Sequence, residues 1–373
     1  MILLSKPIFG QEEIDEIKGV FESGWVAGQG PKGNELEADF SKYIGCRYSI
    51  AANNCTAGLH LALLALGIKE GDEVIVPDFT YPATAHAVMY VNAKPVFCDI
   101  ERDTYNIDPK QIESKITSKT KAIIPVHAFG QCANMEEIMK IAKKHKLFVI
   151  EDAACGTGSM RNGKHAGTFG DIGCFSFHGR KNITSGEGGI NTTNNEELAG
   201  KMRSLSCFGI ESAYKREKEF KVPIFTKLGF NYKLSDIASG IAVAQLKKSE
   251  DFVKKRNELA KYYAEKLANI DGIKVPFVDP KNRHAYQSFV TLLDKKYNRN
   301  EIIVKLGELG IQAQIGTYAL HVQPMYKEIT NCNPADFPNA SYIFEKSLAI
   351  PMYYTLTEKQ IDEVTAALKK VLK

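Results

Sequence analysis

The sequence is short of the features that assign a protein quickly. Its eight cysteines (Cys46, Cys55, Cys98, Cys132, Cys155, Cys174, Cys207 and Cys332) include no C-x-x-C pair, which excludes a zinc ribbon or a thioredoxin-like motif, and no metal site is expected. No run approaches the roughly 18 apolar residues of a membrane span. The first residues, Met-Ile-Leu-Leu-Ser-Lys-Pro, have no basic leader, no full apolar stretch and no cleavage site. Charge of one sign is also scarce. The net formal charge is +4 over 373 residues, so neither nucleic acid nor a membrane is an expected partner, while local basic patches remain available for phosphate groups. There is no internal repeat, low-complexity tract or Pro-rich linker. What remains is 44% hydrophobic and 25% charged, a composition that buries a substantial core. Several cysteines sit in apolar contexts, as buried free thiols do, and a reducing cytoplasm is the expected location.

From Tyr48 to about Asn194, short apolar runs alternate with helical stretches. Strands are expected at Tyr48–Ala52, Glu73–Pro77, Pro95–Ile100, Ala122–His127, Phe148–Glu151, Ile172–Phe177 and Gly188–Thr193, with helices such as Thr56–Leu66, Ala83–Val91, Pro109–Ile116 and Met135–Lys146 between them. This spacing predicts βα units in an α/β fold, with a mostly parallel sheet covered on both faces. Sites in such sheets lie beyond the carboxyl ends of the strands. Asn53–Thr56, Phe79–Tyr81, His127–Gln131, Asp152 and His178–Lys181 should therefore converge. A long helical pattern, Asp236–Ile270, leads into a second, smaller domain. The expected division is 1–249 and 250–373. In the second domain Thr357 and Gln360 form a helix-start signal. The charged stretch Tyr214–Lys227 reads as a surface excursion.

The densest chemical signal is Ser176-Phe-His-Gly-Arg-Lys-Asn-Ile-Thr-Ser-Gly-Glu-Gly-Gly189, downstream of the strand Val149-Ile-Glu-Asp152. A lysine in a turn after an apolar strand, an aspartate at a strand end and a nearby serine are what pyridoxal 5′-phosphate (PLP) requires. The lysine (Lys181) forms the Schiff base, the aspartate (Asp152) keeps the pyridine nitrogen protonated and the serine (Ser176) binds the phosphate. Desolvation and nearby cations are expected to lower the Lys181 pKa. Glu151 competes with Asp152, but strand alternation puts it on the opposite face. Each residue also has a plainer use. Lys181 reads as a surface lysine and Asp152 as a helix cap. Asn54-Cys55-Thr56 opens a helix, a place that binds phosphate through free N–H groups, and Thr56 serves equally as a simple N-cap. Tyr81 suits stacking on a cofactor ring and, as well, ordinary packing.

These residues belong to a longer pattern: Gly24-Trp-Val-Ala-Gly-Gln-Gly-Pro31, Asn54-Cys-Thr-Ala57 with Leu59-His-Leu-Ala-Leu63, Gly71-Asp-Glu-Val-Ile-Val-Pro77, Ala93-Lys-Pro-Val-Phe97, Pro125-Val-His127 with Gly130-Gln131, Glu151-Asp-Ala-Ala154, Ser176–Gly189, Gly229-Phe-Asn-Tyr232 with Asp236-Ile237, and His321-Val-Gln-Pro324. In number and order they resemble the DegT/DnrJ/EryC1/StrS nucleotide-sugar aminotransferases over essentially the whole chain. The resemblance implies an aspartate-aminotransferase-like fold type I, with a seven-stranded large domain and a smaller α+β C-terminal domain. It implies that Lys181 carries PLP and shuttles a proton, and that Asp152 pairs with the pyridinium. It gives the phosphate to Cys55 (through its backbone), Thr56 and Ser176, with Asn54 beside them, and lays Tyr81 against the ring. It implies that Asn231 reaches the phosphate of a neighbouring subunit, hence a homodimer with shared active sites. His178, Arg180 and His321 are candidate substrate contacts. Relatives with histidine in place of the lysine are dehydratases, so Lys181 favours amino transfer. Gly186-Glu-Gly-Gly189 resembles the branch acting at C4 of a 4-keto-6-deoxyhexose, with L-glutamate as donor. A PLP-dependent dehydratase and a non-catalytic PLP-binding regulator are the alternative readings. Two departures stand out. Cys155 occupies a position where the family often has Gln or His, and Asn54-Cys55-Thr56 stands where Ser-Gly-Thr is common.

Overall fold

The computed structural model describes residues 1–211, 222–330 and 332–373. Its centre is a seven-stranded sheet built from β1 (Tyr48–Ala52), β2 (Glu73–Pro77), β3 (Lys94–Cys98), β4 (Thr120–Ile123), β5 (Phe148–Asp152), β6 (Ile172–Ser176) and β7 (Gly189–Thr193), in the order β1-β7-β6-β5-β4-β2-β3. Pairing is parallel from β6 through β3, and β7 alone runs antiparallel to both its neighbours. Each strand was expected, most within two residues of its observed ends. β4 stops short of His127, because Pro125 has no N–H to give a ladder.

The strands read as apolar runs because both faces are covered. Val74 and Val76 enter one hydrophobic cluster and Ile75 another, the two-residue alternation of a pleated strand. Every residue of Cys55–Ala65 except Thr56 and Leu64 is buried, so this helix is sandwiched rather than amphipathic. Helix Met135–His145 instead turns only Met135, Ile138 and Ala142 inward, the i, i+3, i+7 spacing of a surface helix.

The expected single helix Asp236–Ile270 is two helices, Asp236–Lys247 and Ser249–Leu267, broken at Lys248 (φ −94°, ψ −5°). Competing side-chain anchors account for the break. The Lys248 ammonium reaches back to Glu13 at 2.8 and 2.9 Å, and the Ser249 hydroxyl lies 3.0 Å from Tyr43 Oη. Beyond it a four-stranded antiparallel sheet (Ile273–Lys274, Phe289–Leu293, Ser347–Ile350, Gln314–Ile315) carries its own core, in which Tyr263 stacks on Phe289 at 4.9 Å. Ile2 belongs to that second core and bonds Gly310 and Gln312 through its backbone. The first residues therefore pack with the C-terminal sheet, which the sequence did not suggest. The expected capping box at Thr357 and Gln360 is present. Of the expected excursion Tyr214–Lys227, residues 214–221 lie outside the described residues. Val222, Ile224 and Phe225 are exposed. Among the described residues no helix is long and apolar enough to cross a membrane.

Candidate active site

A cavity of about 1070 Å³ opens beyond the carboxyl ends of the sheet strands, and residues of the second sheet close its far side. Asn54, Cys55, Thr56, Tyr81, Asp152, Ser176, His178, Arg180 and Lys181 all line it. Two of the eleven candidate residues do not.

The inner end is a helix start. Asn54 caps Cys55–Ala65 by accepting the Ala57 N–H at 2.8 Å. The amides of Cys55 and Thr56 fall in the first turn, where no helical carbonyl precedes them. This turn holds no acidic residue, whereas Met135–His145 begins with Glu136 and Glu137. The positive end of the dipole is therefore left for an outside anion. Gly189 lets the turn sit against β7: a Cβ there would meet the Cys55 nitrogen at 2.7 Å. Ser176, buried at the end of β6, adds a hydroxyl beside these amides, its oxygen also accepting the His178 N–H at 3.3 Å. Burial pushes the Cys55 thiol well above its usual range, so at this residue the backbone, not the sulfur, is the useful group.

The two acids at the end of β5 face opposite ways. Glu151 accepts the N–H groups of Gly167, Phe169 and Gly170 at 2.6–2.8 Å and lies 2.9 Å from His127 Nε2. His127 Nδ1 accepts the Ala133 N–H at 3.1 Å, so its ring proton sits on Nε2 and points at Glu151. Glu151 is thus consumed by loop anchoring. Asp152 faces the cavity. Its Oδ2 accepts the Thr84 hydroxyl at 2.8 Å and its Oδ1 accepts the Ala154 N–H at 3.1 Å. Thr80 lies 3.0 Å from Thr84, whose own proton is committed to Asp152, so Thr80 donates to it. Two hydroxyls in series fix the carboxylate, and its remaining lone pairs stay available. Neither threonine was singled out from the sequence. Thr80 does fall inside the expected convergent stretch Phe79–Tyr81, at the end of a short strand, while Thr84 lies in the helix after it.

Lys181 sits in a turn closed by its own N–H to the His178 carbonyl at 2.9 Å. Beside it the Asn182 side chain spans to the carbonyls of Thr157 at 3.2 Å and Ala285 at 3.1 Å. The Lys181 amine donates to Cys155 Sγ at 3.3 Å. The expected cation-lowered pKa is not found. Burial does pull the ammonium down, but the Cys155 contact and the Asp152 carboxylate stand beside it rather than cations, and Lys181 is held above its ordinary value.

The outer end is assembled from distant segments. Tyr81 is 66% exposed, its ring 6.2 Å from that of Tyr318. Arg180 donates to Gln314 Oε1 at 3.2 Å, while its carbonyl accepts from Gln287 at 2.9 Å. His178 lies 3.8 Å from Glu187 across the mouth. His60 Nδ1 meets Tyr232 Oη at 3.2 Å, with the imidazole kept neutral by burial. Gln287, Gln314, His60 and Tyr232 were not foreseen as cavity residues, because they meet only through the fold.

His321 is not in the cavity. It is buried, with Nδ1 2.6 Å from Asp78, its N–H donated to Asp78 at 2.8 Å, Nε2 3.2 Å from Ser341 and its ring stacked on Phe337 at 4.8 Å. Both ring nitrogens are spent on fastening the helix that carries Ser341 to the β2 end. Asn231 is exposed and lies outside this cavity, its side chain accepting from Lys233, although the next residue, Tyr232, lines it.

The donor set fits PLP. Free helix-start amides and a serine hydroxyl suit a phosphate. A buried carboxylate with lone pairs to spare suits a protonated ring nitrogen, and the Lys181 amine faces the same space. Lys181 would carry the aldehyde end, Asp152 the ring nitrogen, and Cys55, Thr56 and Ser176 the phosphate.

Comparison with known proteins agrees. Residues 7–369 match the DegT/DnrJ/EryC1/StrS aminotransferase family. The chain is 37% identical to the GDP-perosamine synthase of Caulobacter vibrioides, over 100% of this chain and 98% of that one. It is also 37% identical to the spore coat polysaccharide biosynthesis protein SpsC of Bacillus subtilis, over 99% and 96%. A Streptococcus pneumoniae protein described as a sugar aminotransferase, solved in its PLP form, superposes with a TM-score of 0.92 at 27% identity, over 99% of this chain and 97% of that one.

The chain belongs to the DegT/DnrJ/EryC1/StrS aminotransferase family. It is a fold type I, PLP-dependent sugar aminotransferase.

Proposed function

We propose that this sugar aminotransferase moves the amino group of L-glutamate to the C4 keto carbon of a nucleoside-diphosphate 4-keto-6-deoxyhexose, as a step in surface-polysaccharide or glycan synthesis. The observation that carries the reading is the convergence of Lys181, Asp152 and an uncommitted helix start on one cavity large enough for a nucleotide sugar. The C4 assignment is supported by the Ser176–Gly189 pattern, and the nucleotide-sugar class by a relative named GDP-perosamine synthase.

PLP, when bound, supplies the electron-withdrawing ring and the carbonyl carbon that receives and passes on the amino group. The chain does the rest. The Cys55 and Thr56 amides and Ser176 hold the phosphate end against the dipole. Asp152, fixed by Thr84 and the Ala154 amide, keeps the ring nitrogen protonated. Lys181 Nζ would be the covalent anchor; released when the donor's own amine takes its place, it would accept a proton from the donor's Cα as general base and give it back from the same side. One amine serves both half-reactions because both need a proton carried along one side of a planar group. Arg180 and His178 stand at the mouth to orient the sugar nucleotide.

We further propose a homodimer in which Asn231 reaches the partner's phosphate site. Its position outside its own cavity, near the exposed Val222, Ile224, Phe225 and Leu228, supports this. We place the division between the large and small domains at residues 249 and 250, and the working location in the cytoplasm, where eight unpaired cysteines persist.

The test incubates the PLP-loaded enzyme with glutamate and a panel of 4-keto nucleotide sugars, identifying products by NMR. A C4 amine with 2-oxoglutarate is expected. A product lacking a hydroxyl would instead mark a dehydratase. Borohydride reduction and peptide mapping should label Lys181, and Lys181→Ala should lose both label and turnover while remaining folded. A label on another residue would overturn the mechanism.

A further inference from the structure

Cys155 is the departure from the family pattern that the mechanism above leaves without a task. It lies three residues past Asp152, on a turn tied to the end of β5. The Ala154 N–H binds the Asp152 carboxylate at 3.1 Å, and the Gly156 N–H binds the Ala153 carbonyl at 2.7 Å. One rigid turn therefore presents two groups to the cavity, a carboxylate at one point and a thiol at the next. The thiol is 3.3 Å from Lys181 Nζ.

The other charged or titratable groups facing Lys181 are engaged or unsuited. Asp152 is held by Thr84 and Ala154. Cys55, on the buried helix start, stays a thiol because burial raises it far above its ordinary range. Arg180 donates to Gln314, and His178 stands at the rim, 3.8 Å from Glu187. Among the described residues Sγ of Cys155 is the hydrogen-bond partner the amine has.

We propose that Cys155 is a positioning residue for the catalytic amine, its thiol being the resting contact of Lys181 Nζ whenever that amine is not joined to the cofactor. The proposal rests on the reading of Lys181 as anchor and proton carrier. Sulfur suits the task because it is a weak acceptor. It fixes the amine's direction without binding it as a carboxylate would, so the amine leaves easily to take or return a proton. An N–H···S contact also favours the protonated amine, in keeping with the raised Lys181.

The test has two arms. The reagent o-phthalaldehyde joins an adjacent amine and thiol into a fluorescent isoindole, releasing water. The full chain freed of cofactor should give this fluorescence, the PLP-loaded chain should be protected, and Lys181→Ala and Cys155→Ala should each abolish it. In the second arm, Cys155→Ala should lower kcat between about tenfold and a hundredfold, the cost of a misplaced reacting group, with KM for glutamate unchanged. The acid limb of its kcat–pH profile should move to lower pH, because the amine loses a contact that favours its protonated form. Cys155→Ser should recover most of the rate. If the alanine variant fails to fold, Cys155→Val, which fills the space without a polar atom, carries the same measurements. Fluorescence that survives Cys155→Ala, or an unchanged rate and pH profile, would overturn the proposal. A borohydride label on Lys181 alongside unchanged Cys155→Ala kinetics defeats this proposal alone; a label elsewhere defeats the reading beneath it.

Discussion

Asp152, Ser176 and the Cys55–Thr56 amides form a cavity floor drawn entirely from the large sheet and its first buried helix, whereas Tyr81, His178, Arg180, Gln287 and Gln314 form a rim from segments up to 233 residues apart in sequence. In the floor each group is fixed within the large sheet and its helices, Asn54 on Ala57 inside one helical turn and Thr84 on Asp152 from the helix that follows β2. In the rim the fixing contacts cross between the two sheets, as Arg180 does to Gln314. The floor holds groups common to any reaction of the cofactor. The rim holds groups that meet the variable substrate. Rigidity belongs where the chemistry is constant, and loosely buried, separately replaceable side chains belong where specificity is chosen.

If that division is right, changes in the floor cut turnover and changes in the rim alter affinity. The largest effect is expected from Asp152→Asn, which keeps the shape and removes the charge that holds the ring proton. Its kcat should fall at least about a hundredfold, in the range seen when an electrostatic stabiliser is lost, measured by single-turnover kinetics with glutamate. Arg180→Ala and Gln314→Ala should raise KM for the sugar nucleotide by about two- to tenfold with kcat little changed, the scale of one net hydrogen bond. A large kcat loss in either would move it from rim to floor.

His321 belongs to neither region, and a variant sharpens the boundary. His321→Ala leaves Asp78 buried without its partner and should cost about 2–4 kcal/mol of stability, read by urea unfolding, with kcat per folded enzyme unchanged. The last variant concerns pH, and its effect vanishes at neutral pH. His284 is buried, accepts the Tyr286 N–H at 2.8 Å and stacks on that ring at 4.0 Å. Burial lowers its pKa to about 3. The unfolded chain binds this proton near pH 6.5 and the folded chain only near 3, so the stability it gives is complete above 6.5 and drains away as pH falls between those values. His284→Asn, which still accepts the amide, should flatten the stability–pH curve across that window.

How much could be read in advance follows the same division. β5 and β6 are apolar runs with polar residues at their carboxyl ends, so the places of Asp152 and Ser176 were legible from periodicity alone. The opposite outlook of Glu151 followed from strand alternation and is seen in its four loop contacts. The break at Lys248 was not legible, because the apolar spacing continues through it and the anchors Glu13 and Tyr43 lie more than 200 residues away. His321 was misplaced for a related reason. Its short motif sits beside the rim in sequence, but Asp78 and Ser341 draw the ring into the core. The direction of the Lys181 pKa was also misjudged, since among the described residues its main neighbours are Cys155, Cys55 and Asp152 rather than cations.

The sequence by itself determined the strand pattern, the lysine, the aspartate that faces it and the helix start left free of acid, because each depends on local periodicity or on capping within a few residues. The tertiary structure alone decided that Thr80 and Thr84 steady Asp152, that Cys155 meets the amine, and that Gln287 and Gln314 complete the mouth. Those contacts depend on strand order and on how one sheet is laid against the other, which are set by burying four apolar clusters together rather than by any residue's immediate neighbours.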